Sequence, residues 1–367
     1  MTEPNFNAFD EWLWSLDSDR LSELRVDTLH VAATADGIAF PQLTVLTVIA
    51  DTRDPLDLIA ERGRGVVEQR RSAHAGLLWA RMGQRDYVVG AWPTSTDGVF
   101  HLIGSAPVTD DAWARVEGAW MNSAAPHVSP VILNRPDFEA IGDALAEHGN
   151  VEVARMTARV LRDQSSYTRG WPTVPGLQRP NHASALTETD GMLVKTLTLD
   201  IAGHTRVHLR RTSGASYYRG DYRLFADIVL RRLTQAARER LTLLSDRNRR
   251  PLEPVAEVLS MSLDRVDLAD QLVRDLLLDT LTGLRGMQVA VLHDNPYLHV
   301  LVNDFLSGTS FDVLVTDDGR LDLVPGLSTR VGTLVRVTDA LGEALGMREL
   351  ELRDVHGPIP DAEFLGA

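Results

Sequence analysis

In the stretch "HTRVHLR", His204, Arg206, His208 and Arg210 occupy every second position, which places four polar side chains on one face of a strand. Guanidinium groups hold phosphate or carboxylate through a planar fork of donors, and imidazole can donate or accept beside them. Upstream, "VEVARMTARV" alternates in the same way. Ala154, Met156, Ala158 and Val160 point to one side, and Arg155, Thr157 and Arg159 to the other. Tyr217, Tyr218, Arg219 and Tyr222 follow directly, while Tyr167, Trp171, Arg247, Arg249 and Arg250 flank the region. Aromatic rings stack on unpaired bases while arginines hold the backbone. Arg155, Arg159, His204, Arg206, His208, Arg210, Tyr217, Tyr218 and Arg219 therefore form a candidate platform for single-stranded DNA, RNA or another phosphate-rich ligand. An ordinary solvated sheet face uses the same residue types, and so does a dock for an acidic protein partner.

Charge supports this focus. Residues 151–250 hold 18 Lys and Arg against 9 Asp and Glu, a local balance of +9 in a chain of net charge −14. Lys195 is the single lysine, so a mechanism that needs a catalytic lysine has one choice. Cysteine is absent, which excludes disulfides, thiolate metal sites and cysteine nucleophiles.

A second set of chemical residues is acidic. "SFDVLVTDDGRLDLVPG" carries Asp312, Asp317, Asp318 and Asp322. A three-residue loop, Asp317-Asp318-Gly319, sets Val315 against Leu321, Val313 against Leu323 and Phe311 against Pro325, leaving one face wholly apolar. Asp312 and Asp322 then share the outer face as diagonal neighbours, roughly 7–8 Å apart at Cα. That spacing suits paired carboxylates, with Asp304 or His299 nearby, in a metal-dependent hydrolase. It equally suits a solvated hairpin, which is the reading preferred here. His293, Asp294 and His299 in "HDNPYLH" are candidate metal ligands or polar strand ends. "NDFLSGTSF" opens like a metal-binding motif, but the acid expected at its end falls on Phe311. Phosphate-binding glycine loops, HExxH, GxSxG and SxxK are absent. No cofactor is implied.

The elements that must position these residues read as α+β, with antiparallel hairpins packed by amphipathic helices in two to three domains. Strands are expected within 26–50, near 75–80, 86–92 and 99–103, with helices over 54–71 and 109–122. This first α/β unit spans 1–125, and "NSAAPHVSP" (122–130) is read as a linker. A basic middle domain spans 126–285. It opens on a helix at 136–148, and residues 164–190 are loop-rich. Its hairpin, 193–211, turns at Ile201-Ala202-Gly203, pairing Thr198 with Arg206 and Thr196 with His208. The inner face is then Leu193, Lys195, Leu197, Leu199, Val207 and Leu209. A continuous amphipathic helix follows at 222–244, then one at about 267–283. A hairpin-and-helix unit spans 286–352, with a tail at 353–367. No signal peptide is read in the N-terminal residues, and no apolar run reaches roughly 18 residues. The expectation is a cytoplasmic, soluble bacterial accessory subunit that binds nucleic acid or a phosphate-rich ligand and has no membrane partner. A protein–protein adaptor or chaperone-like subunit of a complex is the alternative, followed by the hydrolase.

Overall fold

The computed structural model describes residues 4–51, 55–72, 75–82, 85–107, 111–160, 166–170, 192–212, 214–244, 257–263, 266–294, 297–315, 319–326 and 329–354. The fold is mixed α+β and both sheets are antiparallel. The chain forms two compact units, Met1–Glu239 and Arg240–Ala367.

The first unit is built on one sheet, to which the described residues contribute 11 strands. In chain order these are β1 (Leu43–Ala50), β2 (Val66–Arg71), β3 (Gly76–Met82), β4 (Arg85–Pro93), β5 (Val99–Gly104), β6 (Val128–Pro130), β7 (Val151–Val160), β8 (Ser166–Gly170), β9 (Met192–Ile201), β10 (Thr205–Arg210) and β11 (Gly214–Arg219). The spatial order is β2-β3-β4-β5-β1-β11-β10-β9-β7-β8, with β6 also on β1. The boundary expected at 125 is therefore no boundary. β1 pairs with β11, Leu43 opposite Tyr217, so the two expected domains share a sheet. The supposed linker contains β6, which pairs with β1.

One face of this sheet carries the larger core. Phe9, Trp12, Leu13 and Leu21 from the N-terminal helices, Phe138 and Leu145 from helix Arg135–Ala146, and Phe225, Val229 and Leu233 bury it. The opposite face, over β1, β3, β4 and β5, is sealed by Trp113, Val116 and Trp120. These three lie on a helical run, Asp111–Arg115, a π-helical turn Val116–Trp120, and Met121–Ala124.

Several local expectations change. Residues 26–35 are helical, not a strand, and the helix expected over 54–71 stops at Arg62 before β2. The helix expected at 222–244 contains a π-helical turn, Phe225–Leu230, before Arg231–Leu244. The β9–β10 hairpin turns one residue later, over Ala202-Gly203-His204, with Ala202 and Gly203 both at positive φ, so each partner moves by two: Arg206 faces Asp200 in place of Thr198, and His208 faces Thr198 in place of Thr196. A two-residue shift preserves which side chains face which way. Irregular pairing between Thr157 and Ala158 leaves Lys195 unmatched in the β7–β9 ladder. Val194 consequently joins this core where Lys195 was expected, while Leu193 is buried outside that cluster. A strictly alternating strand would have driven the ammonium into that core, and the bulge avoids this.

The second unit holds β12 (Glu257–Leu263), β13 (Met287–His293), β14 (His299–Asp304), β15 (Thr309–Val315), β16 (Leu321–Pro325) and β17 (Met347–Asp354), ordered β13-β14-β15-β16-β12-β17. Helices Gln271–Gly283 and Val331–Leu345 pack against each other. β12 and helix 271–283, expected in the middle domain, belong here, and the boundary expected at 285 falls inside the unit. β17 occupies positions 353 and 354, where the tail was expected to begin. The acidic hairpin adopts the expected register, Val315↔Leu321, Val313↔Leu323 and Phe311↔Pro325, with Gly319 at φ +74°. Asp317 and Asp318 lie outside the described residues. β13 is an edge strand with Val291 and Leu292 exposed and no charged residue from Met287 to Leu292. Among the described residues, no helix is long and apolar enough to cross a membrane.

Two buried titratable groups stand out in the first unit. His101 is held between the hydroxyls of Thr47 (3.0 Å) and Thr234 (3.1 Å), and burial lowers its pKa to about 4. Asp10 accepts from Ser105 Oγ (2.9 Å) and Asn7 Nδ2 (3.1 Å). Burial raises its pKa to about 7 against the downward pull of Ser105, the Val88 amide and Asn7. The folded carboxyl thus keeps its proton to about pH 7, whereas the unfolded one releases it near 3.8. The folded state binds more protons in that window, so this contribution is full in acid and is lost as pH rises through 7. The melting temperature of the wild type relative to Asp10→Asn should therefore fall between about pH 5 and pH 8. A pH-independent difference would contradict the burial of Asp10.

Candidate functional site

Register places the candidate arginines in three rows across the polar face of β7, β9, β10 and β11. The first row is Glu152, Asp200, Arg206 and Arg219. The second is Arg155, Thr198, His208 and Ser216. The third is Thr157, Thr196, Arg210 and Gly214. Arg159 lies beyond the third row on β7, opposite Leu193, and is half-buried. His204 is exposed in the hairpin turn. The face is thus brought together much as the alternation implied, but its chemistry is not that of a bare cationic platform.

The first row is charge-balanced. Arg206 grips Asp200 with Nε and Nη2 at 2.7 and 2.6 Å, a bidentate pair that raises the arginine pKa. Arg219 is exposed beside it. In the second row His208 shares a hydrogen bond with Thr198 Oγ1 (3.0 Å). Burial, then the charges of Arg210 and Arg155, lowers its pKa to about 4, so it is neutral at pH 7. Tyr218 occupies the bulge between β10 and β11, its ring 6.1 Å from that of His208. Arg155 is exposed, and the Ser216 Oγ is buried without a hydrogen-bond partner.

The third row contains the unusual group. Arg210 is 5% exposed. Its Nη2 donates to Val45 O (3.2 Å) and forms an ion pair with Glu117 Oε1 (2.7 Å), which also accepts from Trp113 Nε1 (2.7 Å). Its Nε and Nη1 are buried with no partner. Burial pulls its pKa below the usual value, opposed by Glu117 and Tyr218. The head group lies against Gly214, where an added Cβ would sit 2.0 Å from Nη2 and 2.4 Å from Nε. A glycine is therefore what allows the guanidinium to cross β11 and reach β1.

Tyr217 is a correction. It faces the core, its hydroxyl donates to Gly220 O (2.6 Å), and its ring packs on Phe40, Tyr222 and Phe225. It is not available for base stacking. Tyr222 is also buried and donates to Val26 O (2.9 Å). Trp171, Arg247, Arg249, Arg250 and the side chain of Tyr167 lie outside the described residues. Glu117 and Gly214 had no visible role in the sequence. Glu117 belongs to a helix remote in the chain, and a glycine that seats an arginine resembles any turn glycine.

In the second unit, the acidic candidates are tied into local structure. Asp312 Oδ1 pairs with His299 Nε2 at 2.8 Å. Asp322, expected on a solvated face, is buried and accepts from Ser260 Oγ at 2.6 Å, because β16 lies inside the sheet with β12 on its far side. Asp304 accepts from Thr333 Oγ1 (2.6 Å), Ser307 Oγ (2.8 Å) and the Leu306 amide (2.9 Å), pinning a turn to helix Val331–Leu345. His293 stands across from His299 and packs on Tyr297, while Asp294 holds Arg274. Among the described residues no three acidic or histidine side chains converge in a metal-binding arrangement.

No protein-family model matches the chain, and no curated protein matches it.

Tyr217→Ala should cost roughly 3–5 kcal/mol in urea denaturation, as for other buried aromatic truncations. Asp322→Asn should cost roughly 1–3 kcal/mol, because it puts an amide against a buried hydroxyl. Surface-like losses below about 0.5 kcal/mol for either would contradict these placements.

Proposed function

We propose that the protein is a binding protein whose ligand presents an oxyanion, phosphate foremost, to the polar face of β7, β9, β10 and β11. The observation that carries this reading is Arg210, a buried cation with two donors unmatched. An unsatisfied buried donor costs about 1–3 kcal/mol, more when charged. Such groups in folded proteins are commonly explained by an ion, a water or a ligand. A guanidinium suits phosphate and carboxylate because its planar donors match two oxygens.

The neighbours support the same chemistry. Arg155 adds an exposed positive charge, Ser216 Oγ adds a hydroxyl without a partner, and neutral His208 can donate or accept. The first row argues for a compact anion over a long phosphate track, since Glu152 and Asp200 offset Arg206 and Arg219.

Calorimetry and thermal shift with inorganic phosphate, pyrophosphate, a nucleoside triphosphate and a single-stranded oligonucleotide test the reading. The compact phosphates should bind and stabilise the wild type. Arg210→Met should abolish binding. So should Gly214→Ala, whose Cβ would displace the Arg210 head group from its seat. Tight oligonucleotide binding, with affinity falling about 0.7 log units per log unit of salt for each phosphate contact, would favour a nucleic-acid ligand instead. Absence of binding by every anion at low salt would end the proposal.

A further inference from the structure

Glu117 holds Arg210 through one oxygen, and the stereochemistry of a guanidinium gives that contact a consequence. Nε and Nη2 point one way and form one fork; Nη1 and Nη2 form the other. Both forks include Nη2, the atom engaged by Glu117 and Val45 O. The unmatched donors are Nε and Nη1, one in each fork. Each fork is therefore half-filled, and no anion can take either one bidentately while Glu117 stays in place.

Resting on the reading of this face as an oxyanion site, we infer that Glu117 is an internal placeholder for the ligand's oxyanion, which takes over the Arg210 fork from it. Three features fit an exchangeable contact rather than a fixed counter-ion. First, the Glu117 side chain is 27% exposed against 6% for Arg210, so the carboxylate can swing into water while the cation stays buried. Second, Glu117 sits in the π-helical turn Val116–Trp120, where the regular helical hydrogen-bond ladder is already interrupted. Third, Gly118 follows it with open space where a Cβ would be, which leaves the backbone room to adjust.

The exchange also defines the ligand. Removing Glu117 from Arg210 without replacement would leave a buried unpaired cation, which is strongly unfavourable. A neutral ligand cannot make the trade. The incoming group must carry a full negative charge on two oxygens spaced for a guanidinium fork, as in a carboxylate or a phosphoryl group. Glu117 thereby rejects uncharged isosteres.

Glu117→Gln separates the possibilities. Titrated with inorganic phosphate, pyrophosphate and succinate, it should bind about tenfold tighter than wild type, because a competing conformation has been removed. The probe that gains most identifies phosphoryl or carboxyl as the recognised group. In the wild type, saturating phosphate should also change tryptophan emission, since Trp113 Nε1 loses the Glu117 acceptor. Trp113→Phe should lack that change. Equal or weaker binding by Glu117→Gln overturns the inference while leaving the oxyanion site standing. If Glu117→Gln does not fold, an unchanged Trp113 signal on phosphate binding to wild type overturns it equally. If neither wild type nor variant binds any probe, the oxyanion site itself fails, and the placeholder role with it.

Discussion

Four residue pairs, Leu43↔Tyr217 through Leu46↔Gly214, join the first strand of the large sheet to its last. Almost everything of interest in the first unit depends on that ladder. It fuses two stretches of chain that would otherwise make separate small sheets. It also brings the helical run over β1, β3, β4 and β5 alongside the basic strands β9 to β11. Glu117 and Arg210 are 93 positions apart in the sequence and meet only because of it. The alternative, two small sheets each with an open edge, would leave more backbone unpaired and bury less apolar surface.

The same ladder explains how a cation comes to be buried. β10 cannot offer Arg210 to solvent once β11 and β1 continue the sheet and Trp113 and Trp120 cover the neighbouring face. Gly214 turns an excluded position into a seat. One backbone carbonyl and one carboxylate then hold the head group in a position that leaves two donors without partners. The polar face is in effect a ledger of charges drawn from several parts of the chain: Arg206 is balanced within its own hairpin, and Arg210 by a helix far upstream.

Much of this was legible in the sequence where the signal is local. Alternation identified β7, β9 and β10 and placed Arg155, Arg206, His208 and Arg210 on the face opposite the core. The preference for an apolar face set the β15–β16 register correctly, since only one loop length separates the faces. What was not legible depends on partners distant in sequence. The +9 balance could not show which arginine meets which carboxylate in three dimensions: Asp200 holds Arg206, and Glu117, outside the counted stretch, holds Arg210. Tyr217 was read as a stacking residue because aromatic residues after a basic strand suit that role, yet it lies opposite Val207 and two positions from Ala215, which puts it on the core face. Asp322 was read as solvated because a hairpin alone does not reveal that β12 covers its free edge. The π-helical turns leave no trace in periodicity, since one extra residue disturbs the 3.6 pattern too little to notice.

The edge strand β13 has a consequence for encounters between copies of the molecule. Natural sheets usually guard such an edge locally, with a lysine, a proline or an inward charge. From Met287 to Leu292 this strand has none of these, and Val291 and Leu292 lie exposed along it. What opposes pairing there is global instead: the −14 charge of the whole chain makes copies repel one another. A local guard works at any pH, whereas a global one is only as strong as the ionised carboxylates that supply it. Mild acid and high salt both weaken that repulsion, and they are then the conditions in which this edge is least shielded from a second copy.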